Sequence, residues 1–378
     1  MHHNQYFFFI FVFIVFTLIN TYILIRSRQA LPKSKITRII FYTVFTFLCS
    51  AFLIAMLGRN VIPLFILKIL YFPGTVWMGI MIYLLLFFLF TDLIYLLFRI
   101  LHHLTPEIKK DFRKIQVYSG YLLVFLSSIY GYYQFNNPHI VERKIEIEKK
   151  AGDLKNLKIV GVSDLHLGVA IDKKRLEKYV GLINGQNPDM IIIAGDLIDN
   201  NALPLEKERM WEEINKLKAP LGTYFCTGNH EYMVGFQDAL KFLRKTNLNL
   251  LIDKSVVIDN SIQIIGRDDY KMSRNRKPLK ELMKNLNPEL PVILLEHQPF
   301  HFDESEENRV DLHFCGHTHE GQIFPLNLFI NSLYELAYGY EQRGKTHFYV
   351  SSGLGLWGPP FRIGTKSEVV IFDIEFKK

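Results

Sequence analysis

Two histidines on either side of one threonine, His317 and His319, stand at the centre of the stretch FCGHTHEGQ. An apolar run over residues 310–315 precedes them as a buried strand would, and Gly316 and Gly321 bound the turn. Two imidazoles on a tight loop after a strand can point into one cleft, and neutral imidazole is the commonest side-chain ligand of metals. A lone His-x-His motif is weak evidence, so its meaning depends on the rest of the chain.

Four more short motifs follow apolar, strand-like runs upstream, and each of them carries Asp, Asn or His. They are Asp164-Leu165-His166, Gly195-Asp196-Leu197-Ile198-Asp199, Gly228-Asn229-His230-Glu231 and His297-Gln298-Pro299. In open α/β sheets the functional loops gather at the carboxyl ends of the strands. Five polar strand ends in series therefore predict one shared site.

The order of these motifs, DxH, GDxxD, GNHE, H and GHTH, resembles that of the calcineurin-like metallophosphoesterase superfamily. The resemblance runs from residue 157 to the C-terminus and is specific, because all five motifs occur in order. The late segment SSGLG at residues 351–355, with Arg362 after it, is similar to the bacterial membrane-bound or secreted branch. The resemblance implies an αββα four-layer sandwich, in which two stacked mixed sheets are flanked by helices.

By this resemblance, seven residues hold two divalent metal ions, and Asp196 is shared between them. The implied ligands are Asp164, His166, Asp196 and His319 for one ion, and Asp196, Asn229, His297 and His317 for the other. Such a mixed nitrogen and oxygen set suits Mn, Fe or Zn better than Mg. Two ions about 3.5–4 Å apart would clamp a phosphate and lower the pKa of a bridging water for in-line attack.

The resemblance also implies roles for residues beside the metal ligands. His230 is the implied general acid or phosphate stabiliser, since a histidine with a pKa near neutral can protonate a leaving oxygen. Glu231 either orients that histidine or places a negative charge at a helix N-terminus, and Asp199 is expected to be structural. Arg362 is either a ligand of the substrate phosphate or a surface arginine. His301 is a weaker candidate for the lining of the cleft.

The first third of the chain is crowded with Phe, Leu, Ile and Tyr, and four of its apolar stretches are long enough to span a bilayer. They cover residues 6–25, 39–57, 76–97 and 117–133, and a span takes about 20 residues. A shorter apolar stretch at residues 61–72, with Pro63 and Lys68, is expected to be interfacial or re-entrant. Residues 1–136 are therefore predicted to form a four-helix transmembrane region.

Lys and Arg residues cluster in two of the connecting loops, which predicts that both loops are cytoplasmic. The loop after the first stretch and the loop after the third each carry five of them, against Arg59 and Lys68 between the second and third stretches. The N-terminus and everything after the fourth stretch then lie outside. The predicted location is the cell membrane, with an extracytoplasmic catalytic domain.

Residues 137–156 are charged and predict a linker with an edge strand, and residues 157–378 predict the catalytic domain. The formal net charge is +7, but the basic residues lie beside apolar stretches rather than along a groove, so no nucleic-acid partner is expected. Three cysteines without a CxxC pair predict no disulfide framework.

These features together predict a membrane-anchored, metal-dependent phosphoesterase that acts on phosphodiester, phosphomonoester or pyrophosphate bonds. Its expected partners are the lipid bilayer and a phosphate ester, such as a lipid or a cell-envelope polymer. The alternative is a membrane sensor or transport-linked protein whose phosphoesterase-like domain binds phosphate ligands without hydrolysing them. Against that alternative, the apolar stretches offer little polar chemistry besides Asp92, and all of the implied metal ligands are present.

Overall fold

The computed structural model of the chain describes residues 2–58, 61–101 and 106–377, with side chains described outside residues 2–6, 8, 9 and 106–110. Arg59 and the side chains of Lys109 and Lys110, which enter the count of basic loop residues, lie outside this description. The chain divides into two compact units. One comprises residues 1–131 and 358–360, and the other comprises residues 132–357 and 361–378.

Long helices make up the N-terminal part of the chain. They are α1 (His2–Arg28), α2 (Lys35–Gly58), α3 (Leu64–Ile100) and α4 (Pro106–Asn136). Within the described residues, three helical segments are long and apolar enough to cross a membrane, namely Ile10–Arg28, Lys35–Gly58 and Leu64–Ile100. The prediction of four spans is therefore corrected to three by this criterion. Serines and tyrosines interrupt the apolar residues of the stretch 117–133 in α4 and lower its mean hydropathy.

The apolar stretch at residues 61–72 is not a separate re-entrant segment, which corrects a second prediction. Helix α3 begins at Leu64 and continues through Pro73. Next to this proline, a Cβ atom on Gly74 would lie 2.5 Å from the backbone nitrogen of Phe52, so α3 packs directly against the α2 backbone. Close helix packing at a small residue supports α3 where Pro73 removes a backbone hydrogen bond.

Asp92 in α3 has partners from α1 and α4. Tyr22 Oη donates a hydrogen bond of 2.7 Å and Gln116 Nε2 one of 2.9 Å to its carboxylate. Arg26 and Arg113 form ion pairs with the same carboxylate. Polar side chains inside membrane bundles commonly link helices in this way. The arrangement favours a structural role for Asp92 over a role in transport.

Two six-stranded mixed sheets form the second unit. The first sheet has the order β1 (His139–Ile147), β12 (Glu368–Phe376), β2 (Asn156–Val162), β3 (Met190–Ala194), β4 (Thr223–Cys226) and β5 (Asn249–Leu250). The second has the order β10 (Gly339–Arg343), β11 (Thr346–Val350), β9 (Leu312–Cys315), β8 (Val292–Leu295), β7 (Ile262–Gly266) and β6 (Lys254–Ile258). Neighbouring strands run parallel from β2 to β5, and so do β7, β8, β9 and β11.

Shorter helices connect these strands. They are α5 (Lys173–Asn184), α6 (Leu203–Lys207), α7 (Trp211–Ile214), α8 (Asn229–Met233), α9 (Phe236–Leu243), α10 (Leu279–Met283), α11 (Phe302–Glu307) and α12 (Leu326–Leu333). Helices α6 and α7 are two separate short helices rather than one. Arg209 between them has a φ of 53°, which a continuous helix does not allow.

Alternation along the strands creates the four layers, because successive strand residues point to opposite faces of a sheet. In β3, Ile191 and Ile193 pack in one core with Leu176 of α5 and Phe242 of α9. Ile192 faces the other way and packs in a second core that contains side chains of both sheets. On the far side, Leu279 and Leu282 of α10 pack with β7 and β8 residues. The predicted αββα sandwich is confirmed.

Candidate metal centre and active site

The polar motifs lie directly after five neighbouring strands of the two sheets. Asp164 and His166 follow β2, Asp196 follows β3, Asn229 and His230 follow β4, His297 follows β8, and His317 and His319 follow β9. Strands β3, β4, β8 and β9 are buried along their whole length, so the packing of the core holds their ends in place. The structure brings six of these eight side chains together into two groups of ligand-type atoms, and His230 and Asn229 are described separately below.

The first group consists of Asp164, His166 and His319. Asp164 Oδ1 lies 3.3 Å from His319 Nε2, and the Nε2 atoms of His166 and His319 are 3.0 Å apart. Ligand atoms that share one ion at bond lengths of about 2.0–2.2 Å lie roughly 3 Å from one another. The three side chains therefore have the spacing that a single metal ion requires.

The second group consists of Asp196, His297 and His317. Asp196 Oδ2 lies 3.0 Å from His297 Nε2 in its own group and 3.9 Å from His166 Nε2 in the first group. The carboxylate of Asp196 thus lies between the two groups. A ligand shared by two ions needs this position.

His230 and Asp199 lie beside the first group, and with His166 they form a third, overlapping set of ligand-type atoms. His230 Nδ1 is 2.8 Å from the main-chain oxygen of Asp199. Because a carbonyl oxygen only accepts, this nitrogen must carry the proton. The Asp199 carboxylate is 3.6 Å from His166 Nδ1, so Asp199 contacts both histidines from behind. The sequence analysis expected a structural role for Asp199, and its place at the end of the GDxxD motif is the feature that could have indicated its contact with the two histidines.

Backbone conformation marks the same residues. Asp164, His166, Asp196, His317 and His319 have φ values of 53°, 49°, 49°, 76° and 49°. Residues other than glycine rarely adopt positive φ, and such strained residues cluster at functional sites. The packing around these five residues therefore holds them in a costly conformation that directs their side chains into the site.

Burial and charge oppose one another in the carboxylates. Burial alone would raise the pKa of Asp164, but the neighbouring imidazoles of His319 and His166 lower it well below its usual range. Asp196 is likewise buried, and the charges of His297 and His230 lower its pKa. Both groups are therefore buried anions that require positive charge beside them.

The four buried histidines of the two ligand groups differ in the direction in which their pKa is shifted. Burial lowers the pKa of each ring, but in His166 and His297 the neighbouring carboxylates outweigh this effect and raise the pKa to about 10. In His317 and His319 burial dominates and lowers the pKa to about 3 and about 4. The raised pKa of His166 and His297 reflects the buried negative charge of the aspartates, which divalent cations would neutralise.

The sequence profile of calcineurin-like phosphoesterases matches residues 157–321, the part of the chain that carries all five motifs. An uncharacterized metallophosphoesterase of Campylobacter jejuni is 36% identical over 265 residues, which are 68% of this chain and 69% of the relative. The chain belongs to the metallophosphoesterase family. This confirms the family resemblance and shows a hydrolase that acts on phosphoric esters.

Two further relatives differ in how much of their own length the matched region covers. A transmembrane protein with metallophosphoesterase domain from Danio rerio is 31% identical over 247 residues, which are 61% of this chain and 56% of the relative. An uncharacterized metallophosphoesterase of Aquifex aeolicus is 32% identical over 270 residues, which are 67% of this chain and 99% of the relative. With its three apolar helices, this metallophosphoesterase is a membrane protein.

The residues of this metallophosphoesterase fit a divalent metal. The side-chain oxygen of Asn229 is buried and has no hydrogen-bond partner among the described residues. An unpaired buried polar atom costs about 1–3 kcal/mol, and a cation would satisfy it. Together with the two anionic aspartates and the converging imidazoles, this oxygen completes the kind of donor set that binds Mn, Fe or Zn.

Glu231 holds the β3 and β4 loops of the metallophosphoesterase together. Its buried carboxylate accepts hydrogen bonds from the backbone N–H groups of Asp196 (3.1 Å), Ile198 (3.1 Å) and Gly228 (2.8 Å). Burial and the charge of Asp196 raise its pKa to about 7. The hydrogen bond from Gly228, directly before α8, agrees with the interpretation of Glu231 as a negative charge at a helix N-terminus. The ring of His230 is held by the carbonyl oxygen of Asp199 and not by Glu231.

Arg362 and His301 are not among the described residues that line the pocket of the metallophosphoesterase. Arg362 is fully buried, which excludes the surface alternative. Its Nη2 donates to the carbonyl oxygen of Gly355 at 2.8 Å and lies 3.3 Å from His319 Nδ1, so it packs behind that ligand group. His301 Nε2 lies 2.8 Å from the hydroxyl of Tyr270 in an exposed position.

Gly228 is required because no side chain fits beside Asp196. A Cβ atom there would lie 2.2 Å from Asp196 Oδ1 and 2.8 Å from a ring carbon of His297. We expect Gly228→Ala to lower the free energy of unfolding by about 1–3 kcal/mol through overpacking and to weaken metal binding. Thermal unfolding and Mn²⁺ titration of the purified protein measure the two effects.

The matched control for Gly228→Ala is Gly181→Ala in α5, where a new Cβ would meet nothing within 4 Å. Alanine is the better helix former, so this variant should be as stable as the wild type or up to about 1 kcal/mol more stable. Equal behaviour of the two variants would contradict the steric argument at Gly228.

Proposed function

We propose that this metallophosphoesterase hydrolyses phosphoric esters at a centre of two divalent metal ions. The observation that carries the proposal is the position of the Asp196 carboxylate, 3.0 Å from His297 in one group and 3.9 Å from His166 in the other. A single ion would leave one of the two groups without a cation. The proposed ligands are Asp164, His166, Asp196 and His319 for one ion and Asp196, Asn229, His297 and His317 for the other.

When bound, two such ions supply Lewis-acid polarisation of the phosphoryl oxygens and a water of lowered pKa. The protein's part is to position the reacting groups. Glu231 fixes the backbone of Asp196, and Arg362 packs against the ring of His319. These contacts keep the ligand atoms in place while the ester binds in the pocket, as catalytic preorganisation requires.

We assign His230 the role of general acid toward the leaving oxygen. It lines the pocket together with His166 and His319. The Asp199 carbonyl holds its Nδ1–H, which leaves Nε2 to carry and deliver a proton. Of the histidines that line the pocket in the described part of the chain, His166, His317 and His319 belong to the proposed ligand sets and His230 does not. The ring of His230 is therefore available for acid–base catalysis.

The proposed substrates are phosphate esters of the cell envelope, either lipid-linked or in polymers. The catalytic unit follows closely on the apolar helices, because α4 ends at Asn136 and β1 begins at His139. A domain with so short a connection stays close to the membrane, where such esters are concentrated.

We propose that the catalytic domain lies outside the cytoplasm. The three spans α1 to α3 alone would leave it in the cytoplasm, so the proposal depends on α4 also crossing the membrane, although α4 is less apolar than the other three helices. Leu122, Phe125, Leu126 and Ile129 of α4 are all more than half exposed, so they need lipid to cover them. Protease added to intact cells should then cleave the catalytic domain, whereas inverted membrane vesicles should protect it. Protection in intact cells would place the domain in the cytoplasm.

The hydrolysis itself is tested on the full-length protein, purified in detergent and stripped of metal. A generic phosphodiester and a generic phosphomonoester are offered with Mn²⁺, Zn²⁺ or Mg²⁺ in turn. We expect turnover with Mn²⁺ or Zn²⁺, weaker turnover with Mg²⁺, and none with chelator. Tight binding of phosphate without turnover by a folded, metal-loaded protein would instead support a binding role for the domain.

A further inference from the structure

The pocket beside the metal-ligand groups has a volume of about 420 Å³ and is lined by two chemically different sets of residues. One set consists of the proposed metal ligands and His230. The other set, which we call the apolar wall, consists of Leu326, Phe329, Ile330, Tyr334 and Trp357. A phosphate group would contact only the first set of residues. The apolar wall would therefore contact another, non-phosphate part of the ligand.

Most of the apolar wall belongs to α12. Leu326, Phe329 and Ile330 are three and four residues apart, so one face of the helix is turned to the pocket. Tyr334 follows directly after the helix in an extended conformation. This helix buries none of its residues, and Phe329 remains 61% exposed. Tyr334 lies against Phe300 and His317, with ring centroids 5.2 and 6.2 Å apart, whereas the α12 part of the wall is a preformed surface open to a ligand.

The segment around α12 has no charge. Residues 323–334, with the sequence IFPLNLFINSLY, contain no Asp, Glu, Lys, Arg or His. Five of its large side chains, Phe324, Leu326, Leu328, Phe329 and Leu333, are exposed. Exposed apolar patches of this kind mark places where apolar ligands or surfaces bind.

The wall is fixed to the loop that carries His317 and His319. Gly321 of that loop has a φ of 76°, and a Cβ on it would lie 2.5 Å from the backbone nitrogen of Asn327, so α12 starts in direct contact with the loop. Gln322 holds the backbone of Trp357 with hydrogen bonds of 2.9 and 3.2 Å. The apolar wall and the ligand loop thus form one rigid surface.

We propose that the apolar wall binds the hydrocarbon chain of an amphiphilic substrate whose phosphate lies at the metal-ligand groups. The inference rests on the proposed function and narrows it, because it selects lipid-linked phosphates over water-soluble polymers. Each methylene that leaves water for an apolar surface favours binding, and a pocket that joins a polar end to an apolar lining suits a ligand with a phosphate head and a hydrocarbon chain. The membrane helices of this chain keep lipids within reach.

The test compares methylphosphonate with hexylphosphonate, which share a phosphate-like head but cannot be hydrolysed. Dissociation constants are measured for the full-length protein in one detergent, with and without Mn²⁺. In the wild type we expect hexylphosphonate to bind at least tenfold more tightly than methylphosphonate. Phe329→Asn should remove most of this preference and leave the binding of methylphosphonate unchanged within about twofold.

Leu328→Asn is the matched control, since Leu328 is the neighbouring residue, is also 61% exposed, and is absent from the pocket lining. It should keep the full preference for hexylphosphonate. Loss of the preference in Leu328→Asn as well would overturn the inference and point to contact of α12 with the bilayer or detergent. Equal affinities of the wild type for the two phosphonates would also overturn it, with the proposed function intact. Failure of methylphosphonate to bind with Mn²⁺ would show that the proposed function itself is wrong.

Discussion

Replacement of Asp196 by asparagine is expected to lower the metal-dependent rate of phosphoester hydrolysis by at least about 10³-fold, or about 4 kcal/mol of transition-state stabilisation. Asparagine has nearly the same shape, but it carries no charge and offers one oxygen in place of two. Asp196 lies between both ligand groups, and its Oδ1 also accepts a hydrogen bond of 2.8 Å from the backbone of His230. A single substitution therefore weakens two metal sites.

The comparison for Asp196→Asn is Asp311→Asn, which also changes a buried carboxylate to an amide. Asp311 lies just before β9, at the opposite end of that strand from His317, and it bonds to Lys149 and to the backbone of Val292. This variant should lose some stability and retain its rate per folded molecule. Similar losses of rate in both variants would show that the effect of Asp196→Asn is one of folding.

Replacement of His230 by alanine is expected to lower kcat by about 10²–10³-fold with metal content unchanged, the usual contribution of a general acid. The loss should depend on the leaving group. A phenyl ester needs a proton on its leaving oxygen, whereas 4-nitrophenolate leaves readily without one. We therefore expect a clearly larger loss for the phenyl ester, measured as kcat for the two esters with the same metal.

His139→Ala serves as the control for His230→Ala, because His139 lies in the edge strand β1 and not among the residues that line the pocket. It should leave both rates unchanged. Equal losses with the phenyl and nitrophenyl esters in His230→Ala would contradict proton donation and indicate that His230 only binds the phosphate.

Local patterns predicted the part of the fold that holds the site. Each polar motif was expected to follow an apolar, strand-like run, and buried strands such as β3 (Met190–Ala194) precede the motifs in the structure. Because parallel strands end at the same edge of a sheet, the order of the motifs was enough to expect that Asp164, Asp196 and His297 meet. The distances between these groups agree with that expectation.

Features that depend on contacts distant in sequence were not predictable. Arg362 is fully buried against carbonyl groups, although arginine is usually a surface residue. The positive φ of Asp164 and His317 follows from packing around the site and leaves no mark in residue type. Helix α12 was not predicted, because Pro325 precedes it and no side chain caps its start.

In the membrane helices, hydropathy along the sequence was a less certain guide. The stretch 117–133 is apolar enough to be predicted as a membrane span. Its tyrosines and serines give it a lower mean hydropathy than the three segments in α1, α2 and α3. The stretch 61–72 was expected to be interfacial or re-entrant, yet α3 includes most of it and continues through Pro73, where Gly74 lets the helix pack closely on α2. Such packing depends on a partner helix that a single segment does not reveal.

The most direct test of the two-metal centre is a titration of the metal-free, full-length protein with Mn²⁺, in which bound metal and phosphoester hydrolysis are measured on the same samples. We predict that two ions bind per chain and that the rate rises mainly as the second site fills. Asp196→Asn should bind less metal at every concentration. A rate that reaches its maximum with one ion per chain, or that does not depend on metal, would contradict the two-metal account.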